Sequence, residues 1–471
     1  MIAFDDHFKL ATTDLKKILE AALSRGGDFA EIYGEYRHFS FINMEEDIIK
    51  ETAEAISLGL GVRVVSGDKT GYGYTNDLSL DKIRRAVLTA AAIASGTGAK
   101  SLPRFQRVRV KGDPYPVKEP FHKTNLSQKI DLVKKAYLAC QKSSLKIKKV
   151  KVGLQDHIRQ VFIVNSAGIM ARDIRPQVRL ICAAIAEKGK RREIGFSGGG
   201  GRVGLEYFRD VLTAERIGKE AAQDALTLLE AVEAPAGEMP VVLAPGHSGV
   251  LVHEAVGHLL EADFNRKKTS IFWNKLGKKV GSELISITDD PTIPSFRGSY
   301  AVDDEGTVPR KTLLIEKGRV VSFLQDRLSA RLMGMPLTGH GRRQDYTCIP
   351  IPRMSNTYIE KGQDDPGDII RSVSKGIYAE KFEGGQVEDS GKFTFSISSG
   401  HLIEAGRMTA PIKQATLIGT NIDILRKIVM VGSDLSFGLQ TGTCSKEGQE
   451  VPVTDGCPTI KISRMTVGGK S

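Results

Sequence analysis

The sequence predicts an α+β chain of two domains: residues 1–235, mixing an antiparallel sheet with packing helices, and residues 236–471, β-rich and carrying a short histidine-bearing helix. Three observations carry this reading. In the first half, segments with apolar residues three and four apart alternate with segments of two-residue alternation. After about residue 236, short alternating runs separated by turn residues predominate. Between the two halves VEAPAGEMP breaks both patterns with small residues and prolines. A chain of 471 residues is too long for one ordinary core, and 41% hydrophobic residues suffice to fill two.

The elements follow in order. From Asp14 to Leu23, Leu15, Ile18, Leu19, Ala22 and Leu23 share one helical face, which Gly26 and Gly27 end. ISLGLGVRVVSGDKTGYGYT alternates on both sides of SGDK, as a hairpin does, and Ser79 is positioned to cap a helix running to about Ala94. A Pro-rich link at 103–120 precedes a helix near 127–141. KIKKVKVGLQD, QVFIVN, QVRLICAAIAEKG and REIGFSG read as antiparallel strands with turns at NSAG and EKGK. The GGGG at 198–201 lacks the lysine and Ser/Thr of a phosphate loop and reads as a flexible turn. A helix from about 213 to 231 leads to the break. Beyond it, VVLAP is a short strand entering a helix started by Ser248 or Gly249, and KTLLIEKGRVVSFLQ is a hairpin turning at EKGR.

Composition narrows the function classes. No apolar run approaches the roughly 18 residues that cross a bilayer, and MIAFDDHFKLATTDLKK has acids where a signal peptide needs cations, so the expected location is the cytoplasm. Five cysteines, at 140, 182, 348, 444 and 457, form no even set or CxxC pair, which suits a reducing compartment. The net charge of +11 is spread along the chain, with short runs such as KIKKVK and KGKRR. That pattern reads as solvated surface with no specific nucleic-acid site, and it favours acidic peptides electrostatically.

The chemistry concentrates in GVLVHEAVGHLLEAD, where His253, Glu254 and His258 form HExxxH. Two neutral imidazoles can hold Zn²⁺, and the adjacent carboxylate can act as a base, as in HExxH metalloproteases. In a regular helix residues five apart diverge by roughly 140°, against roughly 40° for residues four apart. The spacing therefore marks either two buried core histidines or a helix deformed by a π-bulge, with Gly257 easing the deformation. Catalytic zinc keeps three protein ligands, and the candidates for the third are Glu261, Asp263, Cys444 in the Gly-flanked turn TGTCSKEGQ, and Cys457 in DGCP. Each cysteine reads equally as a small buried hydrophobe. Arg342 and Arg343 in GHGRRQDY are candidate anion clamps or solvent-facing arginines, and His340 is a further candidate partner or an exposed histidine.

HEAVGHLLEADFNRKKTS, AVDDEGT, LSARLMGM, GHGRR, PRMSNTY, GGQVEDSGKF, ATLIGT and PTIKISRMTVGG, in this order, resemble the zinc-bearing TldD branch of the TldD/PmbA (TldD/TldE) metallopeptidase family. The resemblance is densest from about residue 235 onward and continues more thinly through GVRVVSGDKTGYGY and GFSGGGGR. It implies that His253, His258 and Cys444 ligate Zn²⁺ and that Glu254 is catalytic, whereas Cys457 matches no ligand of the family. The PmbA (TldE) branch lacks the metal motif. The resemblance further implies hydrolysis of unfolded peptides and small unstable proteins, including precursor peptides, in a complex with a homologous PmbA/TldE-type subunit or as a homodimer. The alternatives are a metal-stabilised peptide-binding subunit without turnover and, from the positive charge, a nucleic-acid-associated regulator.

Overall fold

Alternation at period two runs far longer in this chain than ordinary strands require, and the computed structural model shows why. It describes residues 5–97, 101–110, 113–119, 124–388 and 391–469. Residues 111, 112 and 120 of the Pro-rich link and residues 389–390 of the GGQVEDSGKF block lie outside the described residues.

The first half is a seven-stranded sheet built on Phe29–Glu45, Ile48–Ser66, Ile147–Asn165 and Ile169–Lys188, with Lys69–Thr75, Gln106–Arg107 and Arg191–Gly201 at its margins. KIKKVKVGLQD and QVFIVN, expected as separate strands, are one strand. Its central charges are buried and paired, Asp156 with Lys129 at 2.7 Å and Arg159 with Glu35 at 2.6 Å, so polarity does not interrupt it. Helices Thr12–Leu23, Leu80–Ile93, Leu126–Gln141 and Ala214–Leu229 lie within a few residues of their expected bounds. The Ser79 side chain makes no cap bond; its N–H donates to Asp77 Oδ1 at 2.9 Å instead.

The helices cover one sheet face in two pairs. Ile32, Val62 and Phe162 pack under the first pair with Leu19 and Ile83; Val152 and Leu180 pack under the second with Val133, Ala136, Ile217 and Ala221. Each such burial of a Val, Leu, Ile or Phe side chain contributes about 1.5–3 kcal/mol. The GGGG turn was misread: Gly198–Gly201 continue a strand paired with Val178–Ile181. The glycines serve close approach, since a Cβ on Gly201 would stand 2.4 Å from the Ser295 carbonyl oxygen and one on Gly199 2.4 Å from Leu212.

The second half closes five strands into a barrel: Lys375–Val387, Gly237–Leu243, Ile460–Gly468, Ala415–Thr420 and Lys392–Glu404, the last pairing back to the first. Beside it a six-stranded sheet includes Ile287–Asp289, Asn356–Ile359 and Thr454–Cys457. The EKGR hairpin forms between Thr312–Glu316 and Arg319–Val320, with Lys317 and Gly318 both at positive φ, as a two-residue turn requires.

The uncovered face of the N-terminal sheet meets this half through charge. Arg63 pairs with Glu31 at 2.9 Å and Glu305 at 2.5 Å; Arg175 pairs with Asp173 at 2.8 Å and Asp304 at 2.6 Å; Arg343 pairs with Glu31. All are buried.

Candidate metal centre

One helical turn, Gly249–Val252, starts against the Thr454–Cys457 strand and passes into a π turn, His253–Gly257, in which the His258 N–H donates to the His253 carbonyl five residues back. Ser248 stands before this helix, but its hydroxyl donates back to the Ala244 carbonyl, and the first helical N–H groups, of Gly249, Val250 and Leu251, donate to the Gly246, His247 and Ser248 carbonyls instead. The wider turn brings the two imidazoles to a centroid separation of 5.1 Å, nearly perpendicular at 86°. Gly257 contributes through its size. Its φ and ψ of −57° and −53° are ordinary helical values, but a Cβ there would lie 2.1 Å from Met354 Sδ. The buried Asn421 amide donates to the Ala255 carbonyl inside the turn, and Asn265 Nδ2 donates to the Leu259 and Glu261 carbonyls at 2.8 and 2.9 Å beyond it.

Cys444 arrives from a remote hairpin, Thr443–Lys446 paired with Gln449–Pro452. Its sulfur lies 3.2 Å from His258 Nε2, and His253, His258 and Cys444 present donor atoms all within 4.8 Å of one another. Arg353 braces the hairpin, donating to the Cys444 carbonyl at 2.7 Å and the Gln449 carbonyl at 3.1 Å.

The far nitrogen of each ring is held by a carboxylate. His253 Nδ1 lies 2.7 Å from Asp455 Oδ1, and His258 Nδ1 lies 3.1 Å from Glu261 Oε2. A carboxylate only accepts, so each Nδ1 donates and each Nε2 faces inward, towards Cys444, where it can donate while protonated and offer a lone pair once a metal displaces that proton. Burial opposes charge on all three groups. It is outweighed at His253 by Asp455 and Cys444, which hold its pKa well above the imidazole range, and at His258 by Glu261 and Cys444, which raise it to about 10. The same imidazoles hold the Cys444 thiol well below its ordinary value despite burial, favouring the thiolate that ligates metal. Two imidazole nitrogens and a thiolate, with outer nitrogens fixed, are a donor set that fits Zn²⁺ with one position left for substrate or water.

Glu254 Oε2 stands 3.7 Å from His258 Nε2 with 37% of its side chain exposed, at the mouth of the cluster. The remaining sequence candidates lie elsewhere. Glu261 binds His258 Nδ1 and Lys446 Nζ at 2.9 Å, so it supports a histidine from behind; Asp263 pairs with Lys446 at 2.7 Å. Cys457 is outside the cluster: its thiol donates to the Pro458 carbonyl at 3.1 Å, and burial pushes its pKa up to about 12. Arg342 and Arg343 do not face solvent, and their hydrogen bonds go to groups of the protein itself. Both are buried; Arg342 donates to the Met354 and Pro452 carbonyls, and Arg343 to Glu31, the Asp304 carbonyl and Tyr72. His340, expected to be exposed or a partner to those arginines, is fully buried between Thr338 Oγ1 and Asp289 Oδ1, each at 2.9 Å.

Sequence reasoning missed Asp455 and Lys446. Lys446 had a signal, because strand alternation puts it on the same face as Cys444, and both are buried. Asp455 sits in DGCP, two residues before a cysteine weighed for its sulfur, and only strand pairing places it beside His253.

A helix carrying two histidines and a glutamate, completed by a distant cysteine within a mixed helix-and-sheet architecture, matches the class of metallopeptidases. Models of the PmbA/TldA metallopeptidases match residues 30–94 as domain 1, 119–229 as the central domain and 236–469 as the C-terminal domain. The chain belongs to this PmbA/TldD family. A metalloprotease TldD homolog of Haemophilus influenzae is 42% identical over 466 residues, covering 98% of this chain and 97% of its own length. A zinc metalloprotease TldD homolog of Saccharolobus solfataricus is 32% identical over 266 residues, 56% of this chain and 59% of that one. TldE from Thermococcus kodakarensis, a solved structure, shares the fold with a TM-score of 0.76 at 21% identity, over 97% of this chain and all of that one. Among the described residues no helix is long and apolar enough to cross a membrane.

Proposed function

We propose that this chain is a zinc metallopeptidase that cleaves unfolded peptides, with Zn²⁺ held by His253, His258 and Cys444 and with Glu254 as general base and acid. The observation that carries the reading is the convergence of two inward-facing Nε2 atoms and a thiolate from segments 186 residues apart, beside an accessible carboxylate. Zn²⁺ there would act as a Lewis acid, activating water near neutral pH and polarising the scissile carbonyl.

The chain's own residues do the rest. Asp455 and Glu261 fix the ring orientations and, by accepting the Nδ1 protons, strengthen the Nε2 donors. Glu254 takes a proton from the attacking water at its Oε atoms, then returns it to the departing amine nitrogen. The centre lies between a barrel and a second sheet, so extended chain reaches it more readily than folded protein, and adding as a strand to a sheet edge is the expected mode. The TldE relative in the same fold supports a paired assembly with a PmbA/TldE-type subunit, and the free cysteines suit the cytoplasm.

The test is elemental analysis joined to digestion of a random unfolded peptide pool, with and without chelator. Stoichiometric zinc with chelator-sensitive cleavage is expected. Full zinc retention in Cys444→Ala would sink the ligand set, and zinc without turnover, alone or with the partner subunit, would favour a peptide-binding subunit instead.

A further inference from the structure

Where the polar face of the N-terminal sheet meets the Cys444 hairpin, five arginines gather with no carboxylate in ion-pairing distance among the described residues. Arg179 donates to Gln155 Oε1 at 2.8 Å and the Thr441 carbonyl at 3.4 Å, and Arg202 to the Ser299 carbonyl at 3.1 Å. Arg297 donates to the Gly442 carbonyl at 2.7 Å and Thr443 Oγ1 at 3.2 Å; Arg342 reaches only carbonyls. Arg37 stacks on Phe39. Every acceptor is neutral, whereas Arg63, Arg159, Arg175 and Arg343 alongside are each closed by a carboxylate.

The set is short of a partner as well as of charge. Arg297 is 6% exposed, yet its Nη1 has no hydrogen-bond acceptor, and Arg37 Nε also lacks one. Burial first, and then Arg179, Arg202, Arg342 and Arg37, hold the Arg297 guanidinium well below its ordinary range; burial and Arg37, Arg202 and Arg297 do the same to His157. Arg37, His157 and Arg179 are half-buried, whereas Arg202, Arg297 and Arg342 are buried. A depression of about 470 Å³ on the same sheet face reaches the set at Gln155 and Arg179 and forms a recess beside it, with Lys50, Lys151, Glu45 and Glu51 also in its lining. Buried cations without a counter-charge are costly, and planar guanidinium groups accept a carboxylate through paired donors.

We propose that this recess is an anion subsite that takes a carboxylate of the peptide substrate, from a Glu or Asp side chain or from the chain terminus. Its link to the centre is direct, because Arg297 holds Gly442 and Thr443, the two residues before Cys444. The proposal rests on the peptidase reading for the identity of the ligand as a peptide.

The experiment is equilibrium binding of labelled peptides to zinc-loaded, full-length Glu254→Gln protein, which removes turnover. Three peptides are compared: interior glutamates with an amidated end, interior glutamines with a free carboxyl end, and interior glutamines with an amidated end. At least one acidic peptide is expected to bind about tenfold more tightly than the uncharged one. In the Arg37→Gln/Arg179→Gln double variant that ratio falls towards one. Preference for the first peptide assigns the recess to side chains, and preference for the second to the terminus. Equal binding of all three overturns the subsite, as does a preference that survives the double variant. Absence of zinc or of hydrolysis in the parent protein would instead sink the peptidase reading and leave the binding comparison standing.

Discussion

The face between the two halves and the turn at 253–258 both bury ionisable side chains, and they arrange them in opposite ways. On the sheet face Arg63 lies between Glu31 and Glu305, and Arg175 between Asp173 and Asp304, so that each of these charges ends on its opposite. At the turn, Asp455 and Glu261 stand behind the histidines and Glu254 stands at the mouth, while two imidazole nitrogens and a sulfur converge in front. Closed pairs hold the two halves in register; convergent donors with their outer sides secured are what an ion requires. His340 makes the same point within one residue type. With both nitrogens taken by Thr338 and Asp289, it has no lone pair to offer a metal.

Several experiments break or sharpen this contrast. The largest effect on chemistry is expected from Glu254→Gln: hydrolysis of an unfolded peptide falls about 10²–10⁴-fold while zinc content stays at one per chain, because the residue touches the reaction and not the donor set. Peptide cleavage at the parent rate would remove Glu254 from the mechanism. The largest effect on stability belongs to the other region. Arg63→Met leaves Glu31 and Glu305 buried without their shared cation, at a cost of about 3–5 kcal/mol read as a fall in the urea midpoint. A midpoint that hardly moved would mean that the halves are not held by these pairs.

Asp455→Asn keeps shape but weakens the hold on His253 Nδ1, and zinc affinity is expected to drop about 10–100-fold in chelator competition, with little change in the urea midpoint. Unchanged affinity would reduce Asp455 to a bystander. The smallest effect is an acid limb. Burial raises the Asp304 pKa, but Arg175, Arg159 and Arg343 outweigh it and hold the carboxyl down at about 2. An unfolded Asp titrates near pH 4, about two units higher, so its stabilisation, on the order of 2 kcal/mol, is complete above that pH and is lost as pH falls towards 2. Asp304→Asn should remove this part of the pH dependence between 4 and 2, measured as thermal midpoint against pH; an identical acid limb in the variant would contradict it.

Legibility in the sequence differed from element to element for physical reasons. The four long helices were visible because each buries one apolar stripe against the sheet, a pattern local to the chain. The strand Phe29–Glu45 is hard to read from sequence, because its alternation sets apolar residues against buried charges such as Glu31 and Glu35, which look like surface until the second half covers them. Arg342 and Arg343 were misread in the same way: nothing near them in the chain announces Glu31 or the Pro452 carbonyl. The GGGG run reads as a turn because glycine composition signals loop, whereas here it lets Ser295 and Leu212 approach a paired strand.

What the sequence determined alone was whatever depends on neighbours a few residues away: the helical stripes, the hairpin turn at Lys317–Gly318, and the five-residue histidine spacing, which no regular helix brings onto one face and which points to a π turn. Tertiary structure decided the contacts made over long separations. It selected Cys444 over Cys457, Glu261 and Asp263 as the side chain facing both imidazoles, set Asp455 behind His253, and brought Arg179 and Arg297 from different halves onto the segment that leads to Cys444. Periodicity records only which side of an element is buried, whereas the pairing of strands and the docking of the two halves settle which buried groups meet.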